Sequence, residues 1–120
     1  MQVRILLIVG DPTVGKHLAA LVAGRGYECS VVPSLAEAGR ELRERAYALV
    51  ILDLDLLGDD PVPTARQFRR AHPTVRLVGL DSLAEHRARG GDSPFDAVIP
   101  KPFLIDPLLA ALPTLIPAAG

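Results

Sequence analysis

The chain has 120 residues, of which 49% are hydrophobic and 22% are charged, and its net charge is −1. This length and composition predict one folded domain with an aliphatic core and exclude a disordered chain. The balanced charge gives no electrostatic case for binding nucleic acid or an anionic membrane. A single cysteine excludes an internal disulfide and a metal site built from several thiolates.

Apolar runs alternate with amphipathic segments along the chain, each pair reading as a strand followed by a helix. The predicted strands cover residues 3–9, 27–32, 48–52, 75–80 and 95–99, and the predicted helices end near residues 24, 45, 71, 89 and 116. Such alternation predicts a parallel sheet with helices on both faces and right-handed crossovers. We expect residues 1–116 to form this domain and residues 117–120 to be a tail or the start of a linker.

Several shorter features complete the prediction. Asp11 or Thr13 is expected to cap the first helix, and Ser34 with Glu37 has the spacing of a capping box. No apolar run approaches the roughly 20 residues of a membrane span, and the first strand lacks a signal-peptide pattern. We therefore expect a cytoplasmic protein without membrane contact.

The third predicted strand carries the most informative pattern. The apolar run Ala48–Leu52 is continuous, as in a strand buried on both faces of a parallel sheet. It is followed by Asp53, Asp55 and Gly58. Carboxylates at the end of such a strand lie at the carboxyl edge of the sheet, where ligands bind in open α/β folds. Asp53 is therefore the predicted chemical centre.

The stretch Gly10–Lys16 offers an alternative function. Together with His17 it satisfies most of the motif G-x-x-x-x-G-K-[ST], and it lies between a predicted strand and a predicted helix. This pattern would suit a small P-loop-type nucleotide-binding protein, with Asp53 on the acidic strand that holds Mg²⁺. His17, however, replaces the hydroxyl residue that binds Mg²⁺ in such sites.

A second set of residues uses the same loop differently. Asp11 follows the first strand, Asp53 the third and Lys101-Pro102-Phe103 the fifth, with Gly58 five residues after Asp53. Over essentially the whole chain this pattern resembles the receiver domain of two-component response regulators. The resemblance implies a flavodoxin-like (βα)5 fold with strand order 2-1-3-4-5. That order brings Asp11 and Asp53 to neighbouring strand ends.

The resemblance also implies roles for these residues. Asp53 would accept a phosphoryl group from a histidine kinase or phosphotransfer protein, and Lys101 would pair with Asp53 and then with the phosphate. Mg²⁺ would be bound by Asp11, Asp53 and the backbone carbonyl of Asp55. Such a domain is a signalling module and not an enzyme, with at most self-catalysed phosphoryl transfer to Asp53. It would act on an output domain or protein, without direct contact to nucleic acid.

The sequence departs from the family pattern at five positions. Gly10 replaces an acid, which should weaken Mg²⁺ binding, and Asp81 replaces the Ser or Thr that hydrogen-bonds the phosphoryl group. Val98 replaces an aromatic switch residue, Leu57 a proline and Pro94 a glycine. We therefore expect an atypical receiver with weak or lost phosphorylation, an impaired phospho-switch and signalling through protein contact.

Two further expectations concern the region around the fourth predicted helix, residues 83–89. Ser82 has a hydroxyl, but its one-residue offset from Asp81 should point it away from the site. Residues 90–94 predict a mobile or irregular segment. In receivers the fourth helix, fifth strand and fifth helix form the signalling face, which could also support a homodimer.

Overall fold

The computed structural model describes residues 3–58, 60–81, 94–101 and 105–116. Five strands form one sheet in the order β2-β1-β3-β4-β5, and every neighbouring pair is parallel. The strands are β1 (Arg4–Ile8), β2 (Glu28–Val32), β3 (Leu49–Asp53), β4 (Arg76–Asp81) and β5 (Ala97–Pro100). The predicted fold class and strand order are confirmed.

The described helices follow the strands as the sequence predicts. They are α1 (Pro12–Ala23), α2 (Leu35–Glu44), α3 (Val62–Ala71) and the C-terminal helix (Ile105–Leu115). A 3-10 turn over Leu54–Leu57, directly after β3, was not predicted. The predicted helix at residues 83–89, residues 90–93, Ser82, Phe103 and the tail 117–120 lie outside the described residues.

Local side-chain chemistry sets the helix starts. The Oδ1 atom of Asp11 accepts hydrogen bonds from the N–H groups of Thr13 (2.9 Å) and Val14 (3.4 Å), so Asp11 caps α1. Ser34 Oγ accepts from the Glu37 N–H at 3.3 Å, which confirms the predicted start of α2. The third helix begins at Val62, two residues before the prediction, because a proline is tolerated in the first helical turn.

The sheet separates two apolar layers. One layer packs alternate strand residues against α1 and the C-terminal helix, and the other packs the intervening residues against α2 and α3. In β3, Leu49 and Ile51 belong to the first layer, whereas Val50 and Leu52 belong to the second. All four side chains are at most 1% exposed. The predicted two-sided burial of this strand is confirmed, and it fixes where Asp53 emerges.

Asp96 ties the amino ends of β4 and β5 to α3. Its Oδ2 atom accepts from the Leu77 N–H at 2.7 Å and from Arg69 Nη2 at 2.6 Å, and Arg76 lies 3.5 Å from Oδ1. Burial alone would raise the pKa of Asp96, but the Leu77 hydrogen bond and the two arginines outweigh it. The pKa of Asp96 is therefore below its ordinary value. This ionic cluster lies at the sheet edge opposite Asp53.

Within the described ranges, none of the helices combines the length and the apolar character that crossing a membrane requires.

Candidate functional site

The strand register brings several predicted residues to one edge of the sheet. In the β3–β4 pair Asp53 lies opposite Leu80, and in the β4–β5 pair Asp81 lies opposite Pro100. Asp53 and Asp81 therefore end neighbouring strands, and Lys101 follows directly after β5. Because parallel strands present their carboxyl ends together, these three residues share one edge.

Lys101 bridges two carboxylates at this edge. Its Nζ atom donates to Asp53 Oδ1 at 2.9 Å and to Asp55 Oδ2 at 2.8 Å. Burial would lower the pKa of Lys101, but the hydrogen bonds and negative charges of Asp55 and Asp53 raise it above its ordinary value. The lysine therefore stays protonated at neutral pH and places a fixed positive charge beside Asp53.

The two oxygens of Asp53 differ in their surroundings. Oδ1 accepts both the Lys101 ammonium and the Asp55 N–H, the latter at 3.1 Å. Within the part of the chain that the structure describes, Oδ2 receives no hydrogen bond. The side chain is 16% exposed, so it is held in place without being sealed from solvent. This arrangement orients the carboxylate through Oδ1.

Asp55 takes part through its side chain, which the sequence prediction did not assign. The prediction gave Asp55 only a backbone-carbonyl role, whereas its carboxylate contacts Lys101 directly. The 3-10 turn that starts at Leu54 places Asp55 beside Asp53. The available signal was the spacing of two acids directly after a buried strand, but the lysine contact spans 46 residues of sequence.

Asp81 lies at the end of β4 and is fully buried, with 0% exposure. Among the described residues it is the one charged side chain in the buried interior. Its backbone carbonyl accepts the Lys101 N–H at 3.1 Å, so the main chains of the two residues are joined. A buried carboxylate therefore stands next to the strand end that carries Asp53.

Gly10 lies against Leu56 of the 3-10 turn. A Cβ atom placed on Gly10 would lie only 2.6 Å from Cδ2 of Leu56, so the leucine already occupies the adjacent space. Leu56 is 40% exposed and covers the loop after β1. An acidic side chain at position 10 would therefore require the exposed end of the Leu56 side chain to shift.

We expect Gly10→Asp alone to raise Mg²⁺ affinity by less than about tenfold, because part of the gain is offset by the shift of the Leu56 side chain. In the double variant Gly10→Asp/Leu56→Ala, the added carboxylate has room, and affinity should rise by roughly tenfold through one more hard oxygen ligand. Calorimetric titration with Mg²⁺ measures both effects. Leu56→Ala alone is the control, and equal affinity of the single and double aspartate variants would contradict the steric account.

The structure does not favour the P-loop alternative. A P-loop binds phosphate through the free backbone N–H groups of its glycine-rich loop. Here α1 already begins at Pro12, and the N–H groups of Thr13 and Val14 are bound by the Asp11 side chain. The Gly15 N–H donates to the Asp11 carbonyl at 2.9 Å. The donors that a phosphate would need are therefore used inside the helix.

The carboxyl edge offers oxygen donors of the kind that Mg²⁺ prefers. Across the described ranges, no three His, Cys, Asp or Glu side chains come together as a metal-binding group. Mg²⁺ needs only one or two protein carboxylates when phosphate oxygens and waters complete its shell. Asp11 and Asp53 supply such hard oxygen donors, but Asp11 Oδ1 already caps α1 and Asp53 Oδ1 is bound to Lys101.

The remaining departures from the family pattern are Val98, Leu57 and Pro94, the last of which lies before the amino end of β5. Val98 is half-buried in β5 and lies opposite Gly79 of β4. Its aliphatic side chain has no ring that could rotate. Leu57 ends the 3-10 turn, and Pro94 is buried just before β5.

Two curated proteins of known class are similar in sequence to this chain. Regulatory protein VanRB of Enterococcus faecalis is 31% identical over 121 residues, which cover all of this chain and 55% of that protein. Response regulator MprA of Mycolicibacterium vanbaalenii is 32% identical over 123 residues, which cover 97% of this chain and 51% of that protein.

Solved structures show the same fold. Response regulator TrrA of Thermotoga maritima, crystallised with Mg²⁺ and BeF, superposes with a TM-score of 0.80 at 24% identity, covering 97% of this chain and 100% of that one. No protein-family model matches the chain. The chain belongs to the response regulators and is a receiver domain of two-component signalling. It spans about half the length of the curated relatives it matches.

Proposed function

We propose that this receiver domain uses Asp53 as its phosphoryl acceptor, that its phospho-switch is impaired, and that it signals through protein contact. The observation that carries the proposal is the 2.9 Å contact between Lys101 Nζ and Asp53 Oδ1 at the carboxyl edge. The domain would act as a phosphoacceptor module and not as an enzyme with a separate substrate. Its donor would be a histidine kinase or a phosphotransfer protein in the cytoplasm.

The transfer step follows from the two oxygens of Asp53. Oδ2 attacks the phosphorus of a phosphohistidine, a P–O bond forms, and the P–N bond breaks with its electron pair leaving on the histidine. Lys101 holds Oδ1 and compensates negative charge that builds up beside it. Mg²⁺, when bound by Asp11, Asp53 and the Asp55 carbonyl, would supply further charge neutralisation for the phosphoryl group.

Asp81 explains why phosphorylation should be weak. With a spacing of about 4.8 Å between strands and a rise of about 3.3 Å per residue, the Cα atoms of Asp53 and Asp81 lie roughly 6 Å apart. A second negative charge held near Asp53 would oppose the negative charge of an incoming phosphoryl group. A carboxylate also offers no hydroxyl donor to the phosphoryl oxygens.

Val98 is the reason why we expect phosphorylation to change the surface of the domain very little. Rotation of an aromatic ring would alter the surface of the sheet edge, but a β-branched side chain has only small, stiff rotamer changes available. Phosphorylation would therefore leave the surface of β5 and the C-terminal helix nearly unchanged. We infer that partners, either an output domain or a second copy of the chain, bind this face largely independently of phosphate.

Replacing Asp81 by threonine should raise the rate of phosphorylation of Asp53 by about tenfold or more, because the variant removes the opposing charge and adds a hydroxyl donor. The time course of phosphoryl addition from acetyl phosphate, followed by intact mass, measures this rate. Asp81→Asn is the matched control, since it removes the charge without adding a hydroxyl, and it should give an intermediate rate. Wild-type rates in both variants would refute the role of Asp81.

A further inference from the structure

Three consecutive residues of the 3-10 turn contact three other strands or the residues that follow them. Leu54 is fully buried and packs over Gly79 of β4. Asp55 binds Lys101, which follows β5, and Leu56 covers Gly10, which follows β1. The turn therefore contacts β4 and the residues that follow β1 and β5, although it is only four residues long.

Gly79 makes the first of these contacts possible. A Cβ atom on Gly79 would lie 2.9 Å from Cδ1 and 3.2 Å from Cγ of Leu54, closer than ordinary carbon contacts. Glycine in the interior of a strand weakens the strand and commonly marks a close approach of another group. Here the approaching group is the side chain of Leu54, whose neighbours in the sequence are Asp53 and Asp55.

We propose that the contact between Leu54 and Gly79 is an interlock that positions the 3-10 turn for phosphoryl transfer. Leu54 and Gly79 are positioning residues, since neither would touch the phosphoryl group. The inference rests on the proposed function, in which Asp53 is the acceptor. The position of Asp53 would then depend on β4, which holds the 3-10 turn in place, as well as on the acidic residues.

The geometry shows how the interlock would act. In β3–β4 the register places Leu52 opposite Gly79, so Leu54 folds back over the strand next to its own. The Asp55 N–H bonds Asp53 Oδ1 at 3.1 Å, and the Asp55 carboxylate bonds Lys101 at 2.8 Å. A displacement of Leu54 moves its chain neighbour Asp55, and with it both bonds that orient the acceptor carboxylate.

The variant Gly79→Ala tests this directly. We expect phosphoryl transfer from phosphoramidate to slow by roughly tenfold, since sub-ångström misplacement of reacting groups has effects of this size. The backbone amide resonance of Asp55 and the ammonium resonance of Lys101 should shift at the same time. Leu54→Ala alone should also slow transfer, because the turn loses its contact with β4. This variant tests the inference if Gly79→Ala does not fold.

The double variant Gly79→Ala/Leu54→Ala provides the rescue. Removing the leucine atoms that meet the new methyl should bring the transfer rate and both resonances closer to wild type than in either single variant. Val78→Ala is the matched control, because Val78 is fully buried one residue earlier and faces the opposite layer. It should lose stability without changing the rate or the two resonances.

The outcomes separate this inference from the proposed function. If transfer requires Asp53 but Gly79→Ala and Leu54→Ala both retain the wild-type rate, the interlock is refuted and the acceptor role stands. If slowing in these variants merely matches that in Val78→Ala, the contact is structural only and the interlock is again refuted. If Asp53→Asn still accepts phosphate, the proposed function itself fails.

Discussion

Asparagine in place of Asp53 should abolish phosphorylation of the domain by acetyl phosphate. The amide has nearly the shape of the carboxylate but lacks its negative charge and its nucleophilic oxygen. Intact mass after incubation with the donor should show one phosphoryl group on part of the wild-type protein and none on Asp53→Asn. Asp60→Asn, an exposed loop position, is the control and should resemble wild type.

A phosphoryl group on Asp53→Asn would contradict the assignment of the acceptor. A competing carboxylate is Asp55, which shares Lys101 with Asp53. Fragmentation of the modified protein would then locate the true acceptor. Complete conversion of the wild-type protein would contradict a different part of the account, namely that Asp81 weakens phosphorylation.

Methionine in place of Lys101 should slow phosphoryl transfer by about 100-fold, the usual scale for losing a preorganised charged donor. The ammonium is a cation that the structure places on Asp53, and its loss removes a positive charge that Asp53 and Asp55 share. Transfer from phosphoramidate under single-turnover conditions, followed by intact mass, measures the effect. The fold should survive, because a partly exposed ion pair contributes only about 1 kcal/mol or less.

Lys16→Met is the matched control for this experiment. Lys16 lies in α1 within the Gly10–Lys16 stretch, so the same variant also tests the P-loop alternative. Unchanged phosphoryl transfer in Lys16→Met is expected. A Lys101→Met variant that transfers as fast as wild type would show that the 2.9 Å contact with Asp53 does not assist the reaction.

Much of the fold follows from the sequence because each predicted strand is marked by a local pattern. The apolar run before Asp53 predicts a strand buried on both faces, and the two apolar layers of the structure confirm it. The strand order came from the resemblance to receivers, since alternation alone does not specify how parallel strands are arranged. The residues at the strand ends could then be placed on one edge of the sheet.

The 3-10 turn shows where prediction from the sequence stops. Leu54–Leu57 is a short apolar segment without a helical period, so no local pattern marks it as a turn. Its position depends on the contact of Leu54 with Gly79, which is 25 residues further along the chain. For the same reason the sequence did not reveal the side-chain role of Asp55, or that Leu56 fills the space beside Gly10.

The hydrogen bonds of the first loop decide between its two interpretations. The sequence of Gly10–Lys16 suits both a phosphate-binding loop and an ordinary capped helix, and it left open which residue caps α1. The structure assigns the cap to Asp11 and thereby uses the N–H groups of Thr13 and Val14. A motif that shares its residues with a helix start can be judged only once these donors are traced.

The most direct test of the account is the ¹H–¹⁵N spectrum of the domain titrated with Mg²⁺ and beryllofluoride, a mimic of the acyl phosphate. We expect shifts confined to the site, at Gly10, Asp53, Asp55 and Lys101, with Val98 and Leu108 unmoved. Shifts that extend through β5 into the C-terminal helix would contradict the impaired switch. A spectrum without changes at Asp53 and Lys101, at concentrations that saturate an active receiver, would contradict the acceptor site itself.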